Sequence, residues 1–209
     1  YMPMIKRRTF LTGSAVAAAG GASLFSLFRT PATAKELTVD DVLFDPDNPV
    51  LGNPEGDVTI VEFFDYQCPY CKANHPPLTE VVEADGNIRL VMKDWPIFGA
   101  SSIRAAQLAL GAASLGQYEK ANTALMETEG KLTDPLIEET LEKAGFDVAA
   151  LDQAYRGDRG KWDGLMRRNS EQATLIGLQG TPAFIIGTTL YPGGMDAATL
   201  KEAVDLARG

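Results

Sequence analysis

Hydrophobic residues run almost without interruption from Val58 to Phe64, as Val-Thr-Ile-Val-Glu-Phe-Phe. A β-branched and aromatic run with so little polar alternation predicts a strand buried on both faces. A second apolar run, 88–92, predicts a neighbouring strand, and a helix over about 69–84 fills the interval, closed by Asp85-Gly86-Asn87. From 100 to 177 the pattern changes to a period of 3.6, interrupted by Gly, Pro and Asp. It predicts helices over 101–115, 117–127, 134–144, 148–155 and 159–176. Apolar residues then return in two short runs, 182–186 and 188–191, expected as a hairpin, and Asp196 opens a last helix through Ala207. Ahead of the first strand, 37–44 has room for a short helix, and Asp45-Pro46-Asp47-Asn48-Pro49 is turn chemistry. No internal repeat is visible.

Both cysteines of the chain lie between the first strand and its helix, as Cys68-Pro69-Tyr70-Cys71. Asp65-Tyr66-Gln67 supplies the turn, Cys68 falls at the helix N-cap, and Pro69 takes the first helical position, where a missing N–H costs nothing. A thiol there faces unpaired backbone N–H groups and the positive end of the helix, so its thiolate is favoured. Two residues between cysteines close too short a loop to restrain an unfolded chain, which argues for a reactive pair over a structural bridge. A structural metal needs four soft ligands, and His75 is the one further soft donor. Two-thiolate copper(I) binding is therefore the residual alternative, and no metal is expected. Glu62 has apolar neighbours on both sides, so it is expected to be buried, serving as proton acceptor for Cys71. The competing reading is a strand carboxylate that reaches solvent. His75 is expected as a polar residue of the helix, Lys72 as a solvated one, and Lys93 as a cross-strand partner for Glu62.

The string from Glu62 through Cys68-Pro69-Tyr70-Cys71 to Lys72 resembles the DsbA-like branch of the thioredoxin superfamily. Pro76 matches the proline of the family's active-site helix, Glu62 its buried acid, and Thr181-Pro182 its cis-proline loop, with the likeness extending over roughly 57–209. The resemblance implies an α/β thioredoxin-like fold with a helical domain inserted between its βαβ and ββα halves. The core would be 57–99 and 178–209, the insertion 100–177, and 35–56 an N-terminal arm. It implies a protein thiol-disulfide oxidoreductase with Cys68 as the attacked sulfur, Cys71 as the resolving one, and no cofactor. Pro69 and Tyr70 would tune the pair, while Thr181 and Pro182 would meet an extended substrate segment. Tyr70 stands where many members have His, replacing a cation with at most a neutral hydrogen bond. Reduction or isomerisation of disulfides is the nearer alternative to oxidation. A binder of copper(I) or unfolded chains is the more distant one.

Charge and the N-terminal segment bear on location. Lys6-Arg7-Arg8 leads into a weakly apolar stretch and Ala32-Thr33-Ala34, which reads as an export signal over 1–34, with the paired arginines suggesting the twin-arginine type. The expected location is the bacterial periplasm. Discounting the four basic residues before Lys35 leaves 15 basic against 28 acidic, a net of −13. Such an acidic chain has no nucleic-acid footprint and no surface for anionic lipid. The expected partners are reduced or unfolded exported proteins and a membrane redox protein that recycles the cysteine pair. The short interval between signal and first strand leaves no room for an oligomerisation region, so a monomer is expected.

Overall fold

In the computed structural model, residues 37–209 are described, and the expected export signal lies outside them. The centre is a five-stranded sheet of order β1-β3-β2-β4-β5. Its strands are β1 (Val50–Gly52), β2 (Val58–Phe64), β3 (Ile88–Asp94), β4 (Ala183–Ile186) and β5 (Thr189–Pro192). β2 pairs parallel with β3 and antiparallel with β4, so it is central and covered on both faces, as its unbroken apolar run requires. The helix α2 (Pro69–Asp85) connects β2 to β3 and contains Pro76 and Pro77. It ends on Gly86 at φ 70°, a left-handed C-cap that glycine adopts without a Cβ penalty.

Alternation along β2 and β3 divides the core in two. Val58, Ile60, Phe64, Ile88, Leu90 and Met92 join one cluster with α2 and the final helix α8 (Ala197–Arg208). Val61, Phe63 and Val91 join a second cluster with Val42, Leu43 and Ala173. Val42 and Leu43 belong to α1 (Val39–Leu43) and Ala173 to the long helix α7 (Arg159–Ile176). Within the expected arm, α1 is capped by Thr38 and Asp41 in a reciprocal box. The arm also holds β1, absent from the sequence reading, which pairs antiparallel with the edge of β3.

Between β3 and β4 the chain forms α3 (Ala100–Ser114), α4 (Tyr118–Met126), α5 (Asp134–Lys143), α6 (Val148–Gly157) and then α7, the helical insertion of a thioredoxin-like fold. Thr133 and Asp147 cap α5 and α6 through their side-chain oxygens. Gly111 of α3 lies so close to α6 that a Cβ there would stand 2.2 Å from the Leu151 carbonyl oxygen. This close approach joins α3 to α6, and the larger core cluster extends through the block. Among the described residues, no helix is long and apolar enough to cross a membrane.

Candidate active site

The site forms where β2 ends. Cys68 has extended backbone angles (φ −69°, ψ 117°) and serves as the N-cap of α2, with Pro69 following at the first helical position. Its N–H donates to the Asp65 carbonyl at 3.0 Å, and its own carbonyl accepts the first helical bond, from the Lys72 N–H at 3.1 Å. Both cysteines are free thiols and both are buried. Across the site the Thr181–Pro182 peptide bond is cis, and Cys68 Sγ donates to the Thr181 carbonyl oxygen at 3.2 Å.

The two thiols are driven apart in acidity. Hydrogen bonding from Cys71 is the largest influence on Cys68 and, aided by the Thr181 hydroxyl and the backbone N–H groups of Cys71 and Tyr70, lowers its pKa to about 6 despite partial burial. Cys71 is pushed far above the ordinary thiol range, first by burial, then by its bond to Cys68 and the negative charge of Glu62. Near neutral pH, Cys68 is therefore a thiolate and Cys71 a protonated donor beside it. That is the arrangement thiol-disulfide exchange needs: one sulfur to attack or leave, the other to resolve.

Glu62 is 1% exposed, and neither carboxylate oxygen has a hydrogen-bond partner. Burial, with the charges of Cys68 and Asp94, raises its pKa to about 8. The expected partnership with Lys93 is absent. The register sets Glu62 beside Met92, and Lys93, one residue further on, points to the opposite face. There its Nζ donates to Asn48 Oδ1 at 2.8 Å. Tyr70 is 71% exposed, and its backbone N–H, not its phenol, supports the Cys68 thiolate. Lys72 also departs from expectation: it is half-buried, donates to the Gly130 carbonyl at 3.4 Å, and has its pKa lowered by desolvation. With His75 it lines a cleft of about 450 Å³ between α2 and α4. His75 is buried, and desolvation lowers its pKa.

Two residues at this site went unrecognised in the sequence. Asp65, read as turn chemistry, is buried, and its carboxylate accepts from the N–H groups of Gln67 at 2.7 Å, Ile97 at 2.6 Å and Phe98 at 3.0 Å. It thus ties the cysteine turn to the loop after β3, whose Ile97 and Phe98 side chains are exposed. Asp94, read as the end of a strand, is buried on the same sheet face as Glu62. Its Oδ2 accepts from the Tyr118 hydroxyl at 2.8 Å. Burial raises its pKa to about 7, against the opposing pull of Tyr118 and Tyr66. An acid adjoining an apolar run was the available signal for both, but its facing direction depends on strand register. Among the described residues, no cluster of three or more His, Cys, Asp or Glu side chains is arranged to hold a metal ion.

Comparison with known proteins places this geometry in context. The profile of the DSBA-like thioredoxin domain matches residues 59–205. A thioredoxin-like oxidoreductase from Silicibacter pomeroyi DSS-3 is 39% identical, with a TM-score of 0.78 over 82% of this chain and 98% of that one. The thiol:disulfide interchange protein DsbA of Bordetella pertussis is 28% identical over 206 residues, 94% of each chain. A Na(+)/H(+) antiporter, NhaA 1 of Mycobacterium sp. strain KMS, is 27% identical over 162 residues. That match takes in 76% of this chain but spans only 26% of the antiporter's length.

Proposed function

The chain belongs to the DSBA-like thioredoxin domain family of thiol-disulfide oxidoreductases, and from that premise we propose that it introduces disulfides into exported proteins through Cys68 and Cys71. The carrying observation is the separation of the two thiols, with Cys68 held near pKa 6 and Cys71 far above it. In the oxidising direction a substrate thiolate attacks Cys68 Sγ, the Cys68–Cys71 bond breaks, and Cys71 leaves and takes up a proton. A second substrate thiolate then attacks the substrate sulfur of the mixed disulfide and expels Cys68 as thiolate. Stabilising that leaving group favours transfer of the disulfide to substrate. A Cys68 thiol held below the ordinary thiol range makes the better leaving group that an oxidant needs.

The substrates on this reading are reduced, unfolded segments in the periplasm. The exposed side chains of Tyr70, and of Ile97 and Phe98 in the loop bonded to the cysteine turn, offer them apolar contact. A membrane redox protein returns the pair to its disulfide, and the protein acts as a monomer. The twin-arginine segment would deliver it there.

The test is the equilibrium reduction potential of the 35–209 protein in glutathione buffers. A value above about −180 mV supports a dithiol oxidase, whereas one near or below about −270 mV assigns the protein to disulfide reduction. In parallel, Cys71→Ser is expected to accumulate mixed disulfides through Cys68, and Cys68→Ser to lower exchange to the uncatalysed background. Persistence of exchange in Cys68→Ser overturns the assignment.

A further inference from the structure

We propose that Asp94 is a positioning residue for proton transfer at Cys71: hydrogen-bonded by Tyr118, it ionises before Glu62 and keeps the remaining proton of the buried carboxyl pair on Glu62. The inference rests on the exchange reading above. The parallel register pairs Glu62 with Met92 and Phe64 with Asp94, so alternation puts the two acids on one sheet face, with one residue pair, Phe63 and Lys93, between their positions. Each is 1% exposed. Their hydrogen bonding differs sharply. Asp94 Oδ2 accepts from the Tyr118 hydroxyl at 2.8 Å, and that hydroxyl in turn accepts from Tyr66 at 3.5 Å. Asn122 Nδ2 donates to Tyr66 at 3.2 Å and completes the chain. Both oxygens of Glu62, and Oδ1 of Asp94, have no partner.

Donors aimed at one acid and none at the other decide where a shared proton resides. Two like charges so deeply buried resist ionising together, and the hydrogen-bonded acid is the one that ionises first. Glu62 therefore retains its proton until Asp94 has ionised, and once it ionises in turn its charge acts on Cys71. The titratable groups that act on the pair are Cys68 and Cys71 at α2, Asp65 and Tyr66 from the turn, and Tyr118 from α4; β4 places Phe184 beside Glu62. None of these side chains is a cation paired with either acid. In the reduced protein the Cys68 thiolate raises the proton affinity of Glu62 more than Asp94 does, but in the mixed disulfide Cys68 is uncharged and Asp94 is the charge that remains.

The proton follows the sulfur chemistry. When substrate thiolate attacks Cys68 and the disulfide opens, Cys71 leaves as thiolate and takes the Glu62 proton. In the reverse step the Cys71 thiol gives its proton to the Glu62 carboxylate, attacks Cys68 Sγ of the mixed disulfide, and expels the substrate thiolate. No other oxidant or reductant enters either step.

The reverse step can be read alone. Reduced protein is mixed with saturating oxidised glutathione, and the Cys71 step that follows mixed-disulfide formation is timed from pH 5 to 10. In Asp94→Asn the midpoint of that step is expected up to about one pH unit lower, with the step several-fold faster between about pH 7 and 8, where Asp94 is ionised in the wild type, and little changed at pH 5. In a Glu62→Gln background the same substitution should produce no shift. A merely structural role for Asp94 would lower the unfolding midpoint without moving the pH profile, and an unmoved profile in folded Asp94→Asn overturns the proposal. Carboxyl 13C NMR of the reduced wild-type protein reads the coupling without substitution. Biphasic titration of both resonances is expected, and two independent single-step curves would overturn it. Failure of the wild-type protein to exchange with glutathione counts against the exchange reading, whereas the NMR result still decides the coupling.

Discussion

On the sheet face that packs against α1 and α7, Lys93 is wholly buried, and its ammonium donates to Asn48 Oδ1 at 2.8 Å and Asn169 Oδ1 at 3.5 Å. Those amides are themselves tied down, Asn48 to the Met92 carbonyl at 3.1 Å and Asn169 to the Asp94 carbonyl at 3.1 Å. Nearby, Arg168 donates to both oxygens of Asp45. On the opposite face Glu62 and Asp94 are equally buried, yet three of their four carboxylate oxygens have no partner. One sheet thus carries two solutions to buried charge. Where the charge is structural it is hydrogen-bonded, because an unmet polar group in the interior costs about 1–3 kcal/mol. Where acids are left partly unpaired, burial raises their proton affinity, and the charge of one of them, Glu62, bears on Cys71.

Breaking the satisfied face should cost the most stability and the least chemistry. Asn169→Ala removes an acceptor from Lys93 and the donor to the Asp94 carbonyl, and is expected to destabilise by about 3 kcal/mol in urea unfolding. The Cys68 pKa should stay near 6 in that variant, and a shift of a full unit would show that the two faces are coupled. On the orphaned face the sign reverses. Unfolded Glu62 ionises near 4.5 and folded Glu62 near 8, so the folded chain holds the proton over that window and loses stability as pH rises through it. Glu62→Gln cannot ionise, so the oxidised variant should gain about 2 kcal/mol over the oxidised wild type at pH 8 and little at pH 4.5. Using the disulfide form silences the thiols, and equal pH profiles for the two proteins would remove the burial argument.

Smaller effects sharpen the picture at the sulfurs. Thr181 Oγ1 is buried without a partner while Cys68 carries its proton, and it becomes a donor once the thiolate forms. Thr181→Val should raise the Cys68 pKa by about half a unit, followed by thiolate absorbance at 240 nm. Tyr70→Phe is expected to leave that pKa unchanged, because the contribution at this position comes from the backbone. A clear rise would show that the phenol reaches the sulfur during titration.

Much of this was legible in the residues. The unbroken run of β2, the helical period from α3 to α7 and the Cys-Pro-Tyr-Cys string at a helix N-terminus each express local physics, and the observed elements fall within a few residues of expectation. The strand β1 escaped because Val50-Leu51-Gly52 is too short to carry a period, and it exists through its pairing with β3. Lys72 was expected in water and instead borders a cleft that α4 completes.

The cysteine pair and its place at a helix N-terminus were determined by the sequence itself, since the turn, the N-cap cysteine and the proline after it are local; the acidity of Cys68 comes first from Cys71 within that motif and then from Thr181 across the fold. What surrounds them was decided by tertiary structure. Strand register sends Glu62 and Asp94 to one face and Lys93 to the other, and a one-residue shift in pairing would exchange them. No stretch of sequence encodes that register locally, because it is selected by the packing of two cores on opposite sides of one sheet.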